Sequence, residues 1–437
     1  MSLEKIINWN KVSEEKRIDL LERPTRVIRE DQNEIIEKIF AAVISQGDKK
    51  LREYTKAFDN VEIDSIEMTT QEIHESIEQT PKELKDSIKN AIENIKSFHE
   101  SFSGIDDNAV ETVGGVKCSA ITRPIEKVGL YVPAGNNPLP STAMMLGVPS
   151  MIAGCPERVL VSPPNKNGVV DPTIVTVAHY CQINRIFKLG GAQAIAALAF
   201  GTESVPQVNK IFGPGNSWVT QAKRMISSYN VSVSIDMPAG PTEVLIISDG
   251  SSDPLYIAFD LLSQAEHGVD SQVILLSTSQ RQLYKVQEQI KESLKTLSTR
   301  EIAEQAMTNS KFILVDNLKT AVNISNEYAP EHLILSFDSA NDWLSKITSA
   351  GSVFLGMWSP ESAGDYCSGT NHVLPTGGFT KSLSGITVAS FKKTISVQEI
   401  TKKGLGNLSN DIVKLARAEG LEAHARAVEV RVSKNER

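Results

Sequence analysis

Cysteine is scarce in this chain, with four in 437 residues, at positions 118, 155, 181 and 367, and no C-x-x-C pair. That argues against a disulfide framework and fits free thiols in a reducing compartment. Positive charge is in deficit: 45 Lys and Arg face 53 Asp and Glu, a formal net charge of −8, so a nucleic-acid backbone is not an expected partner. One long segment has no charge at all, between Lys127 and Glu157. Pro133, Pro138, Pro140, Pro149 and the pair Asn136-Asn137 interrupt it, which excludes a membrane span. An uncharged stretch of this kind reads as a buried strand followed by a ligand-lining loop. The first residues, MSLEKIINWNKVSEEKR, carry no apolar signal core, so the expected location is cytoplasmic. A G-x-G-x-x-G dinucleotide fingerprint is also missing.

What is present is an ordinary globular balance, 41% hydrophobic and 22% charged, in a chain long enough for two or three domains. Residues 1 to about 125 read mainly as helix, because DQNEIIEKIFAAVISQGDKKLREYTKAF and TPKELKDSIKNAIENIKSFHESF space their apolar residues at helical period. His74 and His99 fall in this charged region and read as solvated surface histidines. From Val128 the pattern changes to short β-rich runs ending in Gly or Pro: KVGLYVP, ERVLVSPP, NRIFKLGG and NKIFGPGN, with helical segments between them. A second series runs through TEVLIISD, SQVILLST, KFILVD, HLILSF and GSVFLG. Alternation of this kind predicts two doubly wound, Rossmann-like α/β parallel-sheet domains, the first over about 126–240 and the second after it. A strand-like run, FKKTISVQEI, and a helical tail follow residue 386 or so. The tail is too small for its own core and must pack on another domain or subunit.

In open α/β sheets ligands bind at the carboxyl ends of strands, and the polar and glycine-rich clusters are expected there. Leu189 to Gln193 (LGGAQ) and Phe212 to Asn216 (FGPGN) each follow a strand and open a helix. Each is either a tight βα turn or a cradle of N–H groups for an anion such as a pyrophosphate. MPAGPTE, at Met237 to Glu243, is a rigid turn presenting the Thr242 hydroxyl. SQAEHGVD places Gln264 and His267 three residues apart, on one helix face, where an amide oxygen and an imidazole suit a zinc ion. The competing reading is a helix C-terminus with a dipole-facing histidine, ended by Gly268. Glu331-His332, after Pro330, sets a carboxylate beside an imidazole and reads as a general-base pair. The long loop WSPESAGDYCSGTNHVLPTGG brings Asp365, Cys367 and His372 within eight residues. Asp365 reads as a metal ligand or orienting carboxylate. His372 reads as bonding to the backbone, and Cys367 as packed rather than as a nucleophile. Glu419 and His424, five apart in the tail, share no face unless Gly420 interrupts the helix.

Taken together, KVGLYVPAG, GGAQAIAAL, IFGPGN, DMPAGPTEV, LLSQAEHG, YAPEHLI, SAGSVFLG and SPESAGDYCSGTNHVLPT, in this order over about residues 25 to 430, closely resemble the histidinol dehydrogenase family. The resemblance implies a zinc- and NAD⁺-dependent enzyme, one zinc ion per subunit, that oxidises L-histidinol through L-histidinal to L-histidine. It implies Gln264, His267, Asp365 and His424 as zinc ligands, with His424 contributed across a homodimer that shares its active sites. Glu331 and His332 match the acid–base pair; Tyr131, Gln193 and Asn216 match cofactor contacts. Thr242 and Glu419 match substrate contacts, in the pocket that His332 and the metal ligands also line. The implied organisation is an N-terminal helical arm (1–24), a main domain (25–129 plus 242–386), an NAD-binding domain (130–241) and a small C-terminal tail domain on the partner subunit (387–437).

The chain departs from the family at Thr242, where members commonly carry Ser, in the loop AGNNPLPST, and at Cys367, where a small residue is usual. Relatives of the same fold oxidise other alcohols, including sulfonated diols, and a silent NAD- or metal-binding regulator is the rival outside enzymes. The Glu331-His332 pair speaks against the regulator, and Glu419 with His424 favours histidinol.

Overall fold

The computed structural model describes residues 5–23, 31–102, 109–134, 137–229, 231–237 and 240–433. Its strands, in chain order, are β1 (Ile7–Asn8), β2 (Val110–Val113), β3 (Val116–Pro124), β4 (Lys127–Tyr131), β5 (Glu157–Ser162), β6 (Arg185–Lys188), β7 (Lys210–Phe212) and β8 (Ser234–Ile235). They continue as β9 (Glu243–Ser248), β10 (Gln272–Ser277), β11 (Lys311–Leu314), β12 (His332–Leu335), β13 (Ser352–Leu355) and β14 (Lys392–Ile400).

Two parallel sheets form the frame. One has the order β6-β5-β4-β7-β8, the other β1-β11-β10-β9-β12-β13. Apart from the edge strand β1, both follow the doubly wound sequence third, second, first, fourth, fifth. β9 and β10 are buried along their whole length, as a sheet covered on both faces requires. One face of the five-stranded sheet carries Leu130, Met145, Leu146 and Ile174, and the other Val159, Phe187, Ile195 and Val219. The six-stranded sheet is covered by Ile257, Leu261, Leu283 and Val286 on one side, and by Trp9, Leu20, Val322 and Tyr328 on the other.

Several expectations need correction. Ile36, Phe40 and Val43 of the helix Gln32–Asp59, and Ile88 and Ile95 of the helix Lys82–Ser101, pack on the five-stranded sheet. The implied partition gave residues 25–129 to the other unit. Val373 and Ile386 also join the five-stranded sheet's core. His99 is buried rather than solvated, at 2% exposure, because the amphipathic helix turns it inward with Ile88, Ile92 and Ile95. His74 is exposed. The stretch before residue 125 is not all helix: β2 and β3 form an antiparallel sheet with β14. The charge-free segment supplies β4 and then a buried helix, Pro140–Ala153, beginning on Pro140 and carrying Pro149 inside. Gly135 and Asn136, in its connecting loop, lie outside the described residues, as do Pro238 and Ala239 of the turn before Thr242.

Candidate active site

Three strands of the six-stranded sheet open on a buried polar residue. Glu243 opens β9, Gln272 opens β10 and His332 opens β12. This corrects the expectation of a site at the carboxyl ends in this half. The helix Leu318–Tyr328 ends on Ala329, held at φ 55, a left-handed value uncommon for a residue with a Cβ. Pro330 follows and delivers Glu331 and His332 to the sheet, 6% and 3% exposed. One carboxylate oxygen of Glu331 accepts from the Thr242 hydroxyl at 2.6 Å and from the Glu243 N–H at 2.9 Å. His332 Nδ1 lies 3.2 Å from the Glu243 carbonyl oxygen, and its Nε2 is buried without a partner among the described residues. Burial holds the His332 pKa down at about 4, so the imidazole is neutral at pH 7. Burial pushes Glu331 the other way, well above the usual carboxylate range.

Gln264, fully buried in the last turn of the helix Pro254–Ala265, has its amide in hydrogen-bonding contact with the Thr242 hydroxyl and the Glu361 carboxyl group. His332 Nδ1 is 3.5 Å from Glu361, and ligand atoms of His332, Glu361 and Asp365 lie within 4.8 Å of one another. Burial, then the neighbouring Asp365 and Glu331, raise the Glu361 carboxyl well above its ordinary value. Burial opposes ionisation of Asp365 too, but His372, 3.6 Å away, brings it below the normal range. His372 therefore faces Asp365, not only the backbone as expected. His267 is exposed just beyond the helix end and close enough to act electrostatically on His332 and Asp365. Carboxyl groups crowded beside an amide and imidazoles are a donor set that a cation would relieve, and the N/O mixture suits zinc. Glu361 was missed in the sequence, although it precedes Asp365 by four residues, the spacing that puts two side chains on one helix face.

The five-stranded sheet does place its residues at carboxyl ends. Tyr131 ends β4, and its hydroxyl accepts from the Gly191 N–H at 3.2 Å, at the start of the helix Gly191–Phe200. Gln193 is buried in the first turn of that helix. Asn216 follows β7, and its side chain accepts from the Val219 N–H at 3.1 Å, capping the helix Ser217–Ile226. The turn before it needs Gly213: at φ +117, a Cβ there would meet the Tyr131 carbonyl oxygen at 2.1 Å. The helices Gly191–Phe200 and Ser217–Ile226 thus each present an N-terminus after a strand of this sheet, a feature that suits an anionic group.

A family model described as histidinol dehydrogenase matches residues 22–432. The chain belongs to the histidinol dehydrogenase family. A histidinol dehydrogenase of Colwellia psychrerythraea is 48% identical over 430 residues, covering 98% of this chain and 99% of its own. One from Xanthomonas campestris pv. campestris (strain 8004) is 48% identical over 427 residues, covering 98% of each. A crystal structure of histidinol dehydrogenase from Elizabethkingia anophelis matches with a TM-score of 0.95 at 44% identity, covering 99% of this chain and 98% of that one. The resemblance read from the motifs is thus borne out, and the chain is an enzyme of this family.

Of the positions matched to histidinol dehydrogenases, the tail residues stand apart. Glu419 ends the helix Lys402–Ala418, Gly420 breaks it at φ 75, and His424 lies in the helix Glu422–Val432. Both are exposed. β14 pairs with β3 of its own chain yet is exposed from its second residue on, and Leu415, Leu421 and Val430 of the tail helices face outward. Cys367 is exposed at the end of the helix Glu361–Tyr366, and its carbonyl accepts from the Asn94 side chain at 2.9 Å. No helix among the described residues is long and apolar enough to cross a membrane.

Proposed function

We propose that the chain is a zinc-dependent enzyme that oxidises L-histidinol with NAD⁺, through L-histidinal, to L-histidine, the last steps of histidine biosynthesis, as a cytoplasmic homodimer. The observation that carries this reading is the buried Glu331–His332 pair, fixed by the main chain of Glu243, inside a chain of this family. Each oxidation removes a hydride from carbon and a proton from oxygen. His332, neutral and with Nε2 free of partners among the described residues, takes the hydroxyl proton. Glu331, raised above its ordinary range, is poised to take a proton from the water that adds to the aldehyde. His332 then serves the hydrated aldehyde as it served the alcohol. One water and two NAD⁺ give two NADH, the carboxylate and three protons.

Gln264, His267 and Asp365 would hold zinc, with His424 supplied by the second copy, and the metal would provide a template for the imidazole and amine of the substrate. Tyr131, Gln193 and Asn216 would hold NAD⁺, which accepts the hydride. Thr242 ties the two halves of the chemistry together, since its hydroxyl contacts both Gln264 and Glu331. Glu419 would face the substrate amine from the partner's tail. The deciding experiment is NADH release across a panel of amino alcohols and diols. Histidinol should give two NADH per molecule. Turnover of a sulfonated diol with none of histidinol would sink the assignment, and NADH from no substrate would leave a silent binding protein.

A further inference from the structure

We propose that Arg23, at the end of the N-terminal arm, is a positioning residue for the Glu331–His332 pair; the inference rests on the catalytic reading above. Its guanidinium forms a two-pronged pair with Glu243, Nε to one carboxylate oxygen and Nη2 to the other at 2.9 Å. The same Nη2 donates to the carbonyls of Tyr328 at 2.8 Å and Ala329 at 3.2 Å, and the guanidinium lies 4.0 Å from the centre of the Tyr328 ring. Glu243 is 3% exposed, and its carboxylate also accepts from the Gly377 N–H at 2.9 Å. One side chain, more than two hundred residues away in sequence, therefore grips both segments that build the pair.

The first segment is β9. The main chain of Glu243 gives its N–H to Glu331 and its carbonyl to His332, so any movement of Glu243 moves both groups. The second is the left-handed helix end at Ala329, two residues before Glu331. Without Arg23, the buried Glu243 carboxylate must shift toward water or take up a proton, because an uncompensated buried charge is costly. Either response displaces the residue that sets the imidazole and the carboxyl group. Docking of the arm itself is a separate matter. β1 pairs with β11, and Trp9 and Leu20 enter the core. Arg17 donates to the Trp9 carbonyl at 3.1 Å without touching the site.

The test uses the full-length, zinc-loaded enzyme with histidinol and NAD⁺. Arg23→Ala should lower kcat about 10- to 100-fold, the scale on which a small misplacement of reacting groups acts, with zinc content and the KM for NAD⁺ unchanged. Guanidinium at millimolar concentration, far below the molar range that unfolds proteins, should restore part of the loss. Arg23→Lys should remain impaired, because an ammonium cannot span two carboxylate oxygens and two carbonyls in the same plane. Arg17→Ala, which loosens the arm alone, should keep its kcat. If Arg23→Ala does not fold, the double variant Arg23→Met/Glu243→Gln, which buries no lone charge, should fold and still turn over slowly. A wild-type kcat in Arg23→Ala or in the double variant overturns the proposal, and so does an equal loss in Arg17→Ala. A wild-type enzyme that makes no NADH from histidinol refutes the functional reading instead.

Discussion

His332 Nδ1 lies 3.2 Å from the main-chain carbonyl oxygen of Glu243, and this contact fixes the imidazole's tautomer. A carbonyl only accepts, so Nδ1 carries the hydrogen and Nε2 is left as the basic nitrogen. Nε2 is buried without a partner among the described residues, which in the proposed reaction leaves it free to take a proton from substrate. Glu331 is anchored to the same residue through its N–H. A single strand entry thus holds both members of the proposed acid–base pair, the imidazole kept neutral and the carboxyl group raised.

His332→Asn should remove activity with histidinol and histidinal alike, since both oxidations need the same base. Loss of a general base costs on the order of a hundred- to ten-thousand-fold. Glu331→Gln should spare the first hydride transfer more than the second, because only the second needs water activated. Pre-steady-state NADH traces separate the two steps. Equal slowing of both in Glu331→Gln would show that the division of roles is wrong.

His99 gives a pH prediction outside the site. Burial lowers its pKa from 6.5 to about 4, and its Nε2 has no partner among the described residues. Between those values the unfolded chain binds a proton that the folded chain does not. Stability therefore rises with pH across that window and is lost as pH falls from about 6.5 toward 4. His99→Leu should flatten this part of the stability curve, measured by urea unfolding at a series of pH values. An unchanged slope would mean that His99 reaches water in solution.

The alternation of strands and helices was legible from Val128 onward because short β-rich runs, those of the first series each ending in a Gly or Pro turn, are separated by helical segments. β2 and β3 were not, since the partner strand β14 lies some 270 residues further on and is exposed from its second residue. Which sheet the N-terminal helices cover was also hidden. Helical period reports that Ile36 and Phe40 share a face, not what that face meets. Glu331 and His332 could be singled out from adjacency alone. Glu361 had only its four-residue spacing from Asp365 to mark it, and Glu243 and Arg23 had nothing, because their place comes from contacts across β9, the end of the helix Leu318–Tyr328 and the arm. Tyr131 and Gly191 lie at the carboxyl ends of strands and Glu243 and His332 at amino ends, a difference that only the direction and pairing of the strands reveals.

Metal removal should separate catalysis from folding. The cores of the two sheets are built from apolar side chains, and Gln264, His267 and Asp365 are not among them, so the fold should not depend on the metal. Chelation should abolish NADH formation while far-UV circular dichroism barely changes, and added zinc should restore turnover. Loss of secondary structure on chelation would make the metal structural and contradict the assignment of Gln264, His267 and Asp365.

The tail yields the last prediction. Residues of the helices Lys402–Ala418 and Glu422–Val432 bury little within their own chain, and Leu415, Leu421 and Val430 are 67%, 42% and 52% exposed. Apolar side chains held out in this way want a surface to cover them. If that surface belongs to a second copy related by a two-fold axis, Glu419 and His424 complete its site and each dimer holds two shared sites. Mixing a His424→Ala protein with a His267→Ala protein should then recover activity that neither has alone. Random reassortment makes about half the dimers mixed, and each mixed dimer has one intact site and one doubly damaged, so about a quarter of wild-type activity should return. The mixture must be refolded together, with wild-type protein treated in parallel. If the wild type recovers and the mixture stays inactive, Glu419 and His424 are not supplied to a partner's site, and the shared-site reading of the tail fails.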